Sequence, residues 1–131
     1  MRVMGWVLVM VACGDEPTEP TCPPVAAECT PQYEPVFDSV YTNTIQRSCG
    51  VGGNSCHGAG SAAGGLDLSS PMAAHEQLLE KNRVIPNDPA CSVILQRMNH
   101  SDSSLLMPPG SPLSAAEICS VQKWIEAGAT W

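Results

Sequence analysis

Cys49 and Cys56 enclose a glycine-rich loop, Gly50-Val51-Gly52-Gly53-Asn54-Ser55, and His57 follows directly. Two thiols with an imidazole beside the second suit covalent attachment of a haem. In the Cys-x-x-Cys-His arrangement the thiols add to the porphyrin vinyl groups and the histidine becomes the proximal iron ligand. Here six residues separate the cysteines rather than two. The glycines permit positive φ, so the longer loop can bulge outward and still return Cys56 towards Cys49. The same geometry suits a Cys49–Cys56 disulfide with His57 as a solvated loop residue, or a single thioether through Cys56. A zinc site from Cys49, Cys56 and His57 has suitable ligand types but lacks a fourth ligand.

A haem held by His57 needs a second axial ligand, and Met107 stands in Leu106-Met107-Pro108-Pro109-Gly110. A thioether is a soft, neutral ligand that favours ferrous iron and raises the reduction potential. The prolines stiffen the loop that presents the sulfur. His100, in the polar stretch Asn99-His100-Ser101-Asp102, competes for that role and ranks below Met107. His75 shares a predicted helix face with Leu78 and Leu79 and reads as a half-buried packing residue. No nucleophile elbow, paired-carboxylate site or phosphate loop is present, so the chain does not read as an enzyme.

Cys56-His57-Gly58, Gly64-Gly65-Leu66-Asp67-Leu68, Val84-Ile85-Pro86-Asn87-Asp88-Pro89, Met107-Pro108-Pro109 and Trp124-Ile125-Glu126-Ala127-Gly128-Ala129 occur in that order. Together they resemble a monohaem c-type cytochrome domain, most of all the lipid-anchored or multidomain versions of myxobacteria and planctomycetes. The resemblance spans roughly residues 36 to 131. It implies a small all-α fold around one covalent haem c, with thioethers to Cys49 and Cys56, axial ligands His57 and Met107, and a role in electron transfer. Longer insertions between the two cysteines are known in such relatives. Two other readings stay open. One is a degenerate, haem-free fold held by disulfides and acting as a surface interaction lipoprotein; the other is a haem peroxidase or sensor in which Met107 dissociates.

Four helices must position these residues. Val36 to Ser48 carries Phe37, Tyr41 and Ile45 at i, i+4, i+8, a narrow apolar face that leads into Cys49. Ser70-Pro71 opens a second helix, serine as N-cap and proline in the first turn. Asp88-Pro89 predicts a third start of the same kind, with Cys91, Ile94, Leu95 and Met98 facing the core. Ser114-Ala115-Ala116-Glu117 is a capping box for the last helix, which turns Ile118, Val121 and Ile125 inward and stops at Gly128. No strand is expected.

At 131 residues the chain has room for one domain, and its 44% hydrophobic content suits a small core. Only one Phe and two Tyr are available to fill it. A porphyrin would complete such an interior, and a Gly- and Ala-rich composition accounts for the scarcity equally well.

Residues 1 to 12 combine Arg2 with an apolar run too short to span a bilayer, and a small residue precedes Cys13. They read as a lipoprotein signal, with Cys13 the lipidated N-terminus of the mature chain and residues 13 to 35 an acidic, proline-rich tether. That arrangement places the protein outside the cytoplasm, in the cell envelope, anchored to a membrane by lipid. Removing Arg2 with the signal takes the net charge from −7 to −8. Such acidity argues against nucleic acid and steers the domain towards a redox partner with a basic face. An exported chain would oxidise its remaining thiols, here expected as Cys22–Cys29 and Cys91–Cys119.

Overall fold

The computed structural model describes residues 21–50 and 56–131, and among them the fold is all-helical with four helices and no strand. The expected signal, Cys13 and the tether as far as residue 20 lie outside the described residues, as do residues 51–55 of the cysteine loop.

Helix α1, Phe37–Val40, continues without a break into a π-helical segment, Tyr41–Cys49. Phe37, Tyr41 and Ile45 are all buried, as their spacing requires. The wider register is visible where Gly50 N–H donates to Ile45 O at 2.8 Å, five residues back. One local cause is Asn43, whose Nδ2 takes the Ser39 carbonyl that an α-helix would offer to its own N–H. The segment ends at Cys49.

Helix α2, Pro71–Glu80, begins as expected, with Ser70 Oγ accepting from Ala73 N–H at 3.3 Å. Helix α3 is shorter than the sequence predicts, Val93–Met98 with Ser92 as N-cap. Asp88 does cap a turn, accepting from Cys91 N–H through Oδ1 at 3.1 Å, but no helix starts there. Buried Ser92 intervenes: its Oγ donates to Asp88 O at 2.8 Å and accepts from Ile85 N–H at 2.9 Å, fixing the backbone as a loop. Helix α4, Ala115–Glu126, carries the full capping box between Ser114 and Glu117. Its chain turns away at Gly128, where φ is +101°.

The core is built on α1, its π extension and α4. Trp124 is 1% exposed and packs on Phe37 at 5.3 Å between ring centroids, while its Nε1 donates to Thr130 O. Val121 and Ile125 are buried as expected, whereas Ile118 is only partly so. His75 is half-buried, edge-on to Phe37 at 4.7 Å, with Nε2 2.9 Å from Ala129 O.

Two expectations are corrected here. The disulfides are Cys22–Cys91 and Cys29–Cys119, not Cys22–Cys29 and Cys91–Cys119. Cys91 precedes α3 and Cys119 lies within α4, so each meets a strap running over it rather than the other. The strap is the second correction, because from Cys22 the chain is bonded to the domain rather than a free tether. Gln32 N–H donates to Ala116 O and Ser120 Oγ, Gln122 Nε2 donates to Ala26 O at 2.7 Å, and the Tyr33 hydroxyl bonds Thr44. Proline and acid content marks this stretch as irregular backbone; its docking depends on partners distant in the chain.

Candidate functional site

The π segment delivers Cys49 and the chain must then turn sharply. A Cβ on Gly50 would lie 2.5 Å from Leu68 O, so only glycine lets the helix end press against that backbone. Across the loop, His57 N–H donates to Cys49 O at 3.1 Å and His57 O accepts from Leu68 N–H at 2.7 Å. His57 is thus held on both sides, by the residue it must adjoin and by a wall of the cleft. Cys56 O accepts from Ser61 Oγ and from Ala63 N–H, which folds the small-residue stretch after His57 into a compact turn.

From the other side comes Met107, whose N–H donates to Arg97 O at 3.0 Å. This bond docks the Met-Pro-Pro loop on the end of α3, with a cis peptide between Met107 and Pro108. Cys49, Cys56, His57 and Met107 all line one cleft of about 260 Å³. Leu66, Leu68, Leu78, Val93, Ile94 and Met98 form its apolar wall. Arg83 and Arg97 also line it; the sequence reading had not singled them out, and the signal available was the scarcity of cations in an acidic chain. His100 is absent from the lining, and its Nδ1 accepts from Asp102 N–H in its own loop.

Cys49 and Cys56 are both free thiols, so the bond that the haem-free reading placed between them is not formed. Burial, and after it repulsion from the Cys56 thiol, pushes the Cys49 pKa up from 9.0 to about 11. A thiol held protonated is a poor nucleophile towards a disulfide partner. His57 Nδ1 is buried and has no hydrogen-bond partner among the described residues. An imidazole with one idle buried nitrogen, two free thiols, a thioether and an apolar wall form a donor set that fits a haem. Among the described residues no three His, Cys, Asp or Glu side chains converge to hold a metal ion.

Residues 54–111 match the family described as Planctomycete cytochrome C. No curated protein and no solved structure matches the chain. The matched segment is somewhat under half of the sequence; it contains Cys56, His57 and Met107 and begins after Cys49. Laid over the cleft those three residues share, the match supports a cytochrome c-like domain in this chain.

Proposed function

We propose that this protein is an exported electron carrier holding one covalent haem c, with Cys49 and Cys56 as thioether residues and His57 and Met107 as axial ligands. The observation that carries the reading is the convergence of these four side chains on one apolar cleft, three from the two ends of the matched segment and Cys49 from just before it. Bound there, the haem would supply a one-electron ferric–ferrous couple. The two backbone bonds at His57 fix its backbone between Cys49 and Leu68, and the Met107 thioether would favour the ferrous state. The leucine-rich wall keeps water off the site, which also raises the potential. With His57 and Met107 both holding the iron, the site would serve electron transfer rather than substrate turnover. In the same reading Cys13 carries lipid, the domain faces the periplasm or cell surface, and the redox partner presents a basic face to an acidic chain.

The test is an absorption spectrum and pyridine haemochrome of the full chain expressed with periplasmic haem-attachment machinery. A reduced α band at the two-thioether position supports both cysteines, and a red-shifted band leaves Cys56 alone. Met107→Ala is expected to retain covalent haem while losing the weak far-red band of iron–methionine ligation. A colourless protein from a competent host, with Cys49 joined to Cys56 by mass, would overturn the proposal in favour of a haem-free interaction protein.

A further inference from the structure

The cleft has a charge feature that neither thiols nor axial ligands explain. The sequence holds 13 Asp and Glu against 6 Lys and Arg, so cations have carboxylates in surplus. Yet the ion pair found among the described residues is Lys123–Glu126, on the outer surface of α4. Arg83 and Arg97, both half-buried at the cleft, have no carboxylate partner there. Arg97 reaches only Leu105 O, at 3.4 Å, and the Arg83 side chain makes no hydrogen bond to any described residue. Ile94 N–H donates to Arg83 O at 3.0 Å, and Arg97 follows Ile94 by three residues on α3, so the two arginines flank one apolar wall position.

A guanidinium partly withdrawn from water beside leucine and valine loses hydration without a counter-charge to replace it. Its planar fork is shaped for a carboxylate. We propose that Arg83 and Arg97 are the anion-recognition pair of the cleft, binding the carboxylates of a flat amphipathic ligand whose apolar body lies on the wall. This rests on the haem reading above, in which those carboxylates are the two propionates. The arginines are positioning residues, setting how the macrocycle sits rather than touching the iron.

Mesohaem, which lacks vinyl groups and cannot form thioethers, and its dimethyl ester, which lacks the carboxylates, separate the possibilities. Each is titrated by absorbance into the haem-free full chain with both disulfides intact, and folding is followed by circular dichroism. The wild-type chain should bind mesohaem at least about tenfold more tightly than the diester, the scale of one charge-assisted contact. The chain's net negative charge opposes this order, so such a preference is local in origin. R83Q with R97Q should bring the two affinities within about twofold by weakening mesohaem alone. Equal binding of both probes by the wild-type chain overturns the arginine assignment and leaves the haem reading standing, as does equal weakening of both probes in the variant. If neither probe binds, this inference fails, and the pyridine haemochrome of the chain expressed with attachment machinery still decides the haem reading. If the double variant does not fold, the wild-type comparison alone decides.

Discussion

Cys49 is where burial and chemistry meet most directly. Its raised pKa means that the folded, haem-free chain keeps the proton while the unfolded chain would release it near pH 9.0. Between that point and about pH 11 the unfolded state binds fewer protons, so stability falls as pH rises and is unaffected by this group below pH 9.0. Alkylation of Cys49 in the reduced chain, followed by peptide mass, should therefore keep accelerating beyond pH 10. A rate that levels off by about pH 9.5 would show that the thiol is not buried as described. His57 shows the complementary effect, a residue held at its backbone while its buried Nδ1 stays idle. Residue types alone pointed to these two positions, and to Met107, because few arrangements of thiol, imidazole and thioether have another common use.

At the scale of elements, the π extension decides where the thiol arrives. An α-helix from Phe37 would place each successive side chain 100° round, whereas the wider turns slow that rotation and carry Cys49 onto the cleft. The junction depends on Gly50, which leaves no room for a side chain against Leu68 O. Gly50→Ala should cost roughly 1–3 kcal/mol in denaturant unfolding through forced backbone movement. It should also lower haem loading, since Leu68 is what His57 O is tied to. Unchanged stability would show that the helix end and Leu68 are not packed together. Glycine richness here was legible, but its cause was not: the sequence suggested loop freedom, and the structure shows close approach. The capping residues behaved differently, since Ser70, Ser114 and Glu117 act on neighbours within one turn and were readable from the chain.

For the molecule as a whole, two disulfides close long loops, with sequence separations of 69 and 90. In the chain-entropy model each contributes about 4–5 kcal/mol, more than a short Cys22–Cys29 loop could. They tie the strap of residues 22–33 to the turn before α3 and to α4. Trypsin offers a direct check, because no Lys or Arg lies between Cys22 and Cys29 while Arg97 separates Cys91 from Cys119. The non-reduced digest should hold three peptides in one linked species, and reduction should release them. A species linking only the Cys91 and Cys119 peptides would overturn the pairing. Replacing Cys29 and Cys119 by serine should cost several kcal/mol in unfolding free energy, with the cleft residues still in place.

By itself the sequence determined the all-α class, the caps of α2 and α4 and the apolar stripe of the first helix, and it offered the thiol–imidazole–thioether set as candidates. These depend on spacing within a turn or on residue chemistry, both of which are properties of the linear chain. The tertiary structure alone decided the disulfide partners, the docking of the strap, the late start of α3 at buried Ser92 and the presence of Arg83 and Arg97 at the cleft. Each of those depends on which distant segments meet. Loop closure between remote residues is selected by the packing of the entire core, and no local pattern in the chain encodes it.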